Sequence, residues 1–304
     1  MDGRRRRVRG RDVSGIVLLD KPEGLSSNQA LQRVKRAYQA AKAGHTGNLD
    51  VLATGLLPIC LGEATKLSGL LLEADKRYVA VFKLGVTTRS GDREGEVSNT
   101  SPVPPLSEAS LRPLLDRFEG EIEQVPPMYS ALKHNGQPLY RLAERGVEVE
   151  RAPRRVTVYR IDLLDISGDE ITVDVRCSKG TYIRTLAEDI GAAIGCGGHV
   201  AALRRTEAGP FSLDDAYSLS SFTGPCCEVL DTRLQPLDAA LGAYPVADAG
   251  AEAGLLFRRG QAVLVPRAPL AGMVRVYGEA GTLLGMGEVL EDGRIAPKRL
   301  FHLS

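Results

Sequence analysis

KAGHTGNLDVLATG, from Lys42 to Gly55, is the stretch around which the rest of the chain is organised. Its three glycines, Gly44, Gly47 and Gly55, permit turns that residues with a Cβ resist, so we predict a shaped loop rather than a helix or strand. Polar, glycine-punctuated loops often carry binding or catalytic residues. Asp50, the one carboxylate in the loop, is therefore a candidate functional residue. An aspartate that only caps the following turn is the alternative.

Length and composition predict an ordinary globular protein. The 304 residues are 43% hydrophobic and 25% charged, enough for one large domain or two unequal ones. No apolar run approaches the roughly 20 residues of a membrane span. The basic start, MDGRRRRVRGRD, leads into no signal-like apolar core. We therefore expect a cytoplasmic location and no membrane partner.

Cysteine and histidine positions indicate neither a structural metal nor a cofactor. The five cysteines lack the two-residue spacing of zinc and redox sites, and the four histidines are scattered. Neither a phosphate-binding GxxxxGKS/T loop nor a GxGxxG fingerprint is present. We therefore predict chemistry by carboxylate, Lys, Arg and Tyr side chains, without metal or cofactor.

Charge is balanced overall, with local basic clusters. The net charge is +1, from 39 basic and 38 acidic residues, which excludes a uniformly basic nucleic-acid binder. Residues 1–12 contain six arginines and predict a disordered arm; a phosphate-contacting arm and a solubilising tail give the same pattern. Arg33, Lys35 and Arg36 lie off the apolar face of a predicted helix, where they face either RNA or only solvent.

Hydrophobic periodicity predicts a mixture of strands and helices. Strands are predicted at Gly15–Lys21, at Arg77–Val86 and in a hairpin of Arg155–Ile166 with Glu170–Cys177. Helices are predicted after Ser26 or Ser27, over Ser107–Phe118, and after Thr181 as N-cap. From Tyr244, short alternating runs broken by glycines predict a small β-barrel-like module, with Arg294, Lys298 and Arg299 as a phosphate-facing rim.

Two further residues have both a functional and a structural interpretation. Arg184 lies in the first turn of its predicted helix, where the helix dipole disfavours a cation and an anionic partner is expected. A local pair with Glu188, four residues on, is the alternative. Tyr78 opens a predicted strand, and a tyrosine there is commonly a core residue.

Several motifs, in order, resemble those of the TruB family of bacterial tRNA pseudouridine synthases. They are DKPEGLSS, GHTGNLDVLATGLLPICLGEATK, KRYVAVFKLG, PPMYSALKHNG, CSKGTYIRTLAEDIG and HVAALRRTEAGPF. The resemblance covers nearly the whole chain. It implies an α+β fold with a mixed, mainly antiparallel sheet and flanking helices. It also implies a catalytic domain over residues 13–243 and a PUA-like RNA-binding domain over residues 244–304.

The resemblance also implies roles for individual residues. Asp50 is expected to act on the uridine at position 55 in the T loop of tRNA, with Arg184 as its partner and Tyr78 stacked on the base. The substrate-binding residues that it implies are His45, Lys21, Leu203, Tyr182, Gly47 and Arg204. Two residues depart from the family pattern: Asn48 stands where Thr or Ser is usual, and Val51 stands where Pro is usual. Both could alter the stiffness of the Asp50 loop.

The reaction is compatible with the absence of cofactor motifs. Converting uridine to pseudouridine detaches the base at N1 and rejoins it through C5, without redox change or energy input. It needs a nucleophile, for which an ionised carboxylate serves, and a paired arginine is expected to lower the pKa of that carboxyl group. A base inside a stack is out of reach, so base flipping is predicted. Arg204 and Arg205 are expected to contact the RNA backbone.

The expected partner is the tRNA T stem-loop, bound by a monomer without guide RNA or protein partner. Three other functions agree less well with the sequence. A noncatalytic RNA-binding protein does not require Asp50, Tyr78 and Arg184 together. A guide-RNA-dependent relative of the dyskerin type is disfavoured by the short N-terminal arm and the lack of a Lys-rich tail. A hydrolase with an aspartyl nucleophile lacks a recognisable second carboxylate.

Overall fold

The computed structural model describes residues 10–303. Most of the predicted basic arm, residues 1–9, therefore lies outside the described residues. At its described end, Arg11 donates two hydrogen bonds to the Asp231 carboxylate, at 2.5 and 3.3 Å. None of the helices in residues 10–303 has the length and apolar character that a membrane crossing requires.

Strands and short helices alternate along the described chain. The strands are β1 (Gly15–Lys21), β2 (Ala43–His45), β3 (Thr54–Leu61), β4 (Lys76–Leu84), β5 (Val86–Thr88), β6 (Val97–Thr100), β7 (Gly120–Gln124), β8 (Lys133–His134), β9 (Gln137–Pro138), β10 (Arg154–Ser167), β11 (Glu170–Cys177), β12 (Gly198–Ala208), β13 (Phe211–Ser212), β14 (Tyr217–Ser218), β15 (Val246–Asp248), β16 (Val263–Leu264), β17 (Gly272–Tyr277), β18 (Leu283–Val289) and β19 (Arg294–Leu300). The α-helices are α1 (Ser27–Ala37), α2 (Ser68–Leu72), α3 (Glu108–Asp116), α4 (Leu139–Ala143), α5 (Ile183–Ile194), α6 (Cys227–Asp231) and α7 (Gly250–Arg258).

The larger sheet has the strand order β14-β1-β3-β12-β4-β11-β10-β7, with β2 paired to β3 and β13 to β12. Most neighbours are antiparallel, whereas β1 with β14 and β3 with β12 are parallel. The predicted hairpin is present as β10 and β11. The prediction of an α+β fold with a mixed, mainly antiparallel sheet is confirmed.

Alternate residues of β1 enter different hydrophobic cores, so the sheet is buried on both faces at this point. Val17 and Leu19 pack with the apolar sides of α1, α3 and α5. Helix α1 begins with a capping box: the Ser26 side chain accepts a hydrogen bond from the Gln29 N–H, and the Gln29 side chain accepts one from the Ser26 N–H. Ile16 and Leu18 belong to the second core, on the opposite face.

The smaller sheet has the order β15-β17-β18-β19-β16, and α7 packs against it. Leu283 and Met286 of β18, and Phe301 just after β19, join the core that contains Leu18. The Lys66 ammonium donates to the Leu300 carbonyl at 2.7 Å, and Arg299 donates to the Lys66 carbonyl at 2.6 Å. The smaller sheet is therefore packed directly on the larger one.

Several local predictions are wrong. Lys42 to Gly55 is not loop throughout, because β2 pairs with β3 and leaves residues 46–53 as the irregular part. Thr181 does not cap α5; its hydroxyl donates to the Ser178 carbonyl, and the N-cap position belongs to Tyr182. Strands β7 and β12 and helix α7 were not predicted. In each of these three elements, polar or small residues interrupt the hydrophobic periodicity from which strands and helices are predicted.

Candidate active site

A cleft of about 1220 Å³ lies between the Asp50 loop, the N-terminus of α5, and segments 89–96 and 129–146. The cleft brings together five of the predicted site residues, which come from distant parts of the sequence. They are Asp50, Tyr78, Tyr182, Arg184 and Leu203.

Asp50 and Arg184 form an ion pair at the wall of this cleft. Arg184 Nε lies 3.0 Å from Asp50 Oδ2, and Nη2 lies 3.5 Å from Oδ1. The Arg184 guanidinium also donates to the main-chain carbonyls of Ser90, at 2.9 Å, and Tyr129, at 2.7 Å. The Arg184 side chain is 6% exposed and that of Asp50 is 35% exposed. The guanidinium is thus fixed from behind, while the carboxylate remains open to the cleft.

Asp92 is a second carboxylate of the site, and sequence reasoning missed it. Its Oδ2 lies 3.8 Å from Arg184 Nη1, and its side chain is 7% exposed. The Ser90 hydroxyl and the Glu94 N–H both donate to Asp92 Oδ1, at 2.5 and 3.1 Å. The Ser-x-Asp pattern in a turn-rich segment indicates this local bonding. Nothing in that pattern indicates Arg184, 92 residues further along the chain.

The pKa of Asp50 is raised above its ordinary value, so the predicted lowering is wrong. Loss of solvent in the cleft is the largest cause, and Arg184 opposes it. Asp92 raises the Asp50 pKa further, whereas Lys21 lowers it. Arg184 lowers the Asp50 pKa as expected, but desolvation raises it by more.

The main chain on both sides of Asp50 is held by buried side chains. The Leu49 N–H donates to Ser27 Oγ at 2.8 Å, and the Ser27 hydroxyl donates back to the Leu49 carbonyl at 3.0 Å. The Val51 carbonyl accepts from Lys21 Nζ at 3.5 Å and from the Gly24 N–H at 3.0 Å. These contacts use main-chain atoms, so they are available whichever side chain stands at position 51.

Lys21 is fully buried and does not reach into the main cleft. Its ammonium group also donates to the Leu25 carbonyl at 2.7 Å and the Pro22 carbonyl at 3.0 Å. Burial lowers the pKa of Lys21 to about 8. It thus lies near the site, as predicted, but beneath the Asp50 loop.

Tyr78 is both a core residue and a cleft residue. It is 9% exposed, and burial raises the pKa of its hydroxyl. Tyr78 and Ala80 point to the same face of β4, and Leu203 is the cross-strand neighbour of Ala80. Tyr78 and Leu203 therefore line one apolar part of the cleft.

Tyr182 enters the cleft wall at the start of α5. Its main chain is bracketed by the Gln124 amide, which donates to the Tyr182 carbonyl at 3.2 Å and accepts from its N–H at 3.0 Å. Gln124 ends the unpredicted strand β7. This strand therefore contributes to the position of Arg184, two residues further along the chain.

Gly47, His45 and Arg204 do not line the main cleft. Gly47 has a φ of +141°, and its carbonyl accepts from Arg205 at 3.4 Å. His45 lies on β2 with its Nδ1 buried, and burial lowers the pKa of its imidazole. Arg204 points to the opposite face of β12 from Leu203 and pairs with the Asp20 carboxylate, at 2.8 and 3.1 Å.

Arg204 and Lys21 belong to a second cleft of about 600 Å³. Arg33 and Arg36 of α1 and residues 218–223 complete its walls. Arg205, predicted to contact RNA together with Arg204, is instead 1% exposed and points to the opposite face of β12. That part of the prediction is wrong, because the two neighbouring side chains of a strand point in opposite directions.

No group of three or more His, Cys, Asp or Glu side chains within residues 10–303 is arranged to hold a metal ion. Around Asp50 the cleft combines an open carboxylate, the buried Arg184 and an apolar wall. Such an arrangement suits nucleophilic attack on a planar, partly apolar group.

Solved structures with the same fold include chains of multi-component complexes. A chain in a crystal structure of a Cbf5-Nop10-Gar1 complex matches with a TM-score of 0.72 and 26% identity, covering 95% of this chain and 85% of that chain. A chain in a structure of an H/ACA RNP bound to a substrate RNA containing 2′-deoxyuridine matches with a TM-score of 0.71 and 25% identity, at the same coverages.

Models of pseudouridine synthase domains match consecutive parts of the chain. They describe the N-terminal domain of TruB family pseudouridylate synthase, over residues 35–183, and two C-terminal domains, over residues 184–242 and 250–301. The fold and these matches define a pseudouridine synthase, which is an isomerase. The tRNA pseudouridine synthase B of Nitrosococcus oceani is 54% identical, over 98% of this chain and 97% of that protein. That of Coxiella burnetii is 50% identical, over 96% of each. The chain belongs to the TruB family.

Proposed function

We propose that this enzyme isomerises the uridine at position 55, in the T loop of tRNA, with Asp50 as nucleophile. The ion pair between Asp50 and Arg184 in the main cleft is the observation that carries the proposal. The relatives named tRNA pseudouridine synthase B support tRNA as the substrate class. Because the substrate class is tRNA, we also propose that the enzyme acts in the cytoplasm.

Contacts of the side chain and of the neighbouring main chain hold Asp50 in position for attack. Arg184 binds both carboxylate oxygens, and the main chain of the neighbouring residues is fixed by Ser27 and Lys21. The exposed part of the Asp50 side chain faces the cleft. A fixed nucleophile avoids the entropic cost of finding the reacting geometry. Attack at C6 of the base and at C1′ of the ribose both use this arrangement.

The raised pKa of Asp50 fits a nucleophile that must be both ionised and reactive. Desolvation makes the carboxylate more basic, and therefore more reactive, than an aspartate in water. Arg184 keeps the carboxylate ionised by direct pairing. Arg184 thus limits the cost of burying the charge.

The target base must leave its stack to reach Asp50, which costs a few kcal/mol. The cleft offers Tyr78 and Leu203 as an apolar wall next to the carboxylate. Stacking of a base on an aromatic side chain returns about 1–3 kcal/mol. We therefore assign Tyr78 to stacking on the flipped uracil.

The flanking RNA is expected to bind along the second cleft. Arg33 and Arg36 are exposed on its wall, one helical turn apart. Arginines in this arrangement suit phosphate groups of the RNA backbone. We propose that a monomer binds the T stem-loop in this way, without a guide RNA or protein partner.

The test is an incubation of the purified protein with a T-arm transcript, without guide RNA or cofactor, followed by mapping of pseudouridine. We expect one modified uridine with the wild type and none with Asp50→Asn, whose RNA binding survives. Asp165→Asn, on the exposed side of β10, is the matched control and should retain full activity. Undiminished modification by Asp50→Asn would overturn the assignment of the nucleophile. A wild type that needs an added guide RNA would overturn the stand-alone mechanism.

A further inference from the structure

Arg205 is a buried cation whose guanidinium donates to three main-chain carbonyl groups. Its side chain is 1% exposed. Nε donates to the Leu56 carbonyl at 2.7 Å, Nη1 to the Asn48 carbonyl at 3.4 Å and Nη2 to the Gly47 carbonyl at 3.4 Å. Burying a guanidinium is costly unless its donors are satisfied, so these contacts hold the side chain in place.

The three carbonyls belong to the two ends of the Asp50 loop. Gly47 and Asn48 precede Asp50 by three and two residues, and Leu56 follows the loop in β3. The Arg205 main chain pairs with Gly55, at the other end of the loop. A Cβ on Gly55 would lie 2.3 Å from the Arg205 carbonyl oxygen, and Gly55 has a φ of +96°. Glycine at position 55 thus permits the close approach of the loop to Arg205.

Arg205 also neighbours the strand that carries the other cleft residues. It lies directly across from Tyr78 in the pairing of β12 with β4, and Leu203 lies across from Ala80. Directly opposed residues share one face of a sheet, with Cβ atoms about 4.5–5.5 Å apart. One guanidinium therefore touches the loop that carries Asp50 and adjoins the strand that carries Tyr78.

We propose that Arg205 is a positioning residue, which fixes the distance between the Asp50 carboxylate and the Tyr78 ring. Arg205 lies outside the cleft lining and does not touch the reacting atoms. It acts through the main chain of residues 47 and 48 and through the packing of Tyr78. The inference rests on the proposed function, because the distance matters only if both residues act on one base.

The planar fork of arginine is necessary for this role. Three donors diverge from one rigid group toward three carbonyls, whereas lysine presents one compact ammonium on a flexible stem. Lysine keeps the charge but cannot hold both ends of the loop at once. Methionine fills a similar volume and removes all three contacts.

The experiment compares the wild type with Arg205→Met, Arg205→Lys and Arg112→Met. Arg112 is a matched control, because it also donates to a main-chain carbonyl, that of Ile161, at 3.2 Å, but lies on α3 away from the cleft. Three quantities are measured: the single-turnover rate on a T-arm transcript, the Kd for that RNA, and hydrogen exchange of the amides in residues 46–53.

We expect Arg205→Met to lower the single-turnover rate about 100-fold, because a displacement of about 1 Å has that effect on catalysis. Its Kd should stay within about threefold of the wild type, since the Arg205 side chain is buried away from the surface that RNA can reach. Exchange should quicken in residues 46–53. The single-turnover rate and the exchange of Arg205→Lys should lie between those of the wild type and Arg205→Met. Arg112→Met should have the wild-type rate and exchange.

A folded Arg205→Met with the wild-type rate would overturn the proposal. So would equal losses in rate and RNA affinity, or exchange that quickens across the whole sheet, since both indicate a merely structural residue. If Arg205→Met does not fold, Arg205→Lys decides: a full rate with wild-type exchange refutes the need for the fork. An inactive wild type would instead refute the proposed function, while the exchange comparison would still report on the loop.

Discussion

The cations around Asp50 and two exposed cations of the smaller sheet differ in what they contact. Around Asp50 they are buried and donate mainly to main-chain carbonyls; they are Lys21, Arg184 and Arg205. In β19 of the smaller sheet, Arg294 and Lys298 are about half exposed and pair with the side chains of Asp292 and Glu288. The same residue types thus occupy two opposite environments.

The difference indicates what each group of cations does. Removing a charge from water is expensive, so a buried cation is expected where it fixes a geometry. An exposed ion pair contributes only about 0–1 kcal/mol to stability and exchanges readily with solvent. Substitutions near Asp50 should therefore change the rate of the reaction. Substitutions of exposed arginines should change only the RNA affinity, or have little effect on either quantity.

The largest effect is expected from Arg184→Lys. Lysine cannot bind both Asp50 oxygens while also donating to the carbonyls of Ser90 and Tyr129. We expect the single-turnover rate to fall about 100- to 1,000-fold, with the Kd for RNA within about threefold of the wild type. Arg176→Lys, on the exposed part of β11, is the control. A rate within fivefold of the wild type would show that charge alone suffices at position 184.

The next effect is a pH dependence. Asp50 must be ionised to attack, so activity should be lost as the pH falls through its pKa, which is raised above the ordinary value. Asp92 raises that pKa, so Asp92→Asn should move the acidic limb of the single-turnover profile to lower pH. Asp92→Asn also removes the negative charge that faces Arg184, so its single-turnover rate at neutral pH should fall about 10-fold. A shift of the limb to higher pH would contradict the assignment of the limb to Asp50.

Sequence reasoning located the elements of the catalytic sheet better than the contacts between them. Period-two alternation in Tyr78 to Leu84 and in the second hairpin strand gave β4 and β11, because local pattern controls which face of a strand is buried. The cation in the first turn of α5 indicated an anionic partner for Arg184, and the structure has Asp50 in that place rather than the local alternative, Glu188. Both are local signals with a physical cause.

Asp92 and Arg205 show what the sequence could not provide. Asp92 reaches Arg184 only through the turn of segment 88–95, whose shape depends on side-chain hydrogen bonds of its own. Arg205 differs from Arg204 only in the face of β12 to which it points. That face could not be assigned without the strand and its bulges. The raised pKa of Asp50 depends on burial, which likewise requires the tertiary structure.

A smaller effect is expected at the second cleft. Arg33→Gln with Arg36→Gln should weaken binding of the T-arm transcript a few-fold and reduce its salt dependence by a slope of about one per lost phosphate contact. The single-turnover rate at saturating RNA should not change. Lys35→Gln, on the same helix but outside the cleft lining, should leave affinity and slope unaltered. An unchanged salt slope in the double variant would remove the second cleft from the RNA path.

The smallest effect is expected from Arg294→Gln with Lys298→Gln in the smaller sheet. The sequence predicted a phosphate-facing rim of Arg294, Lys298 and Arg299. The first two have carboxylate partners, Asp292 at 2.7 Å and Glu288 at 2.5 Å, and Arg299 donates to the Lys66 carbonyl. To bind phosphate, both would have to give up these partners, so we expect a Kd within about twofold of the wild type. Removing the partners instead, by Asp292→Asn with Glu288→Gln, should free the two cations and tighten RNA binding. If the first double variant weakened binding strongly, the pairs would have to open on RNA, and exposure alone would no longer separate the cations that bind RNA from those that do not.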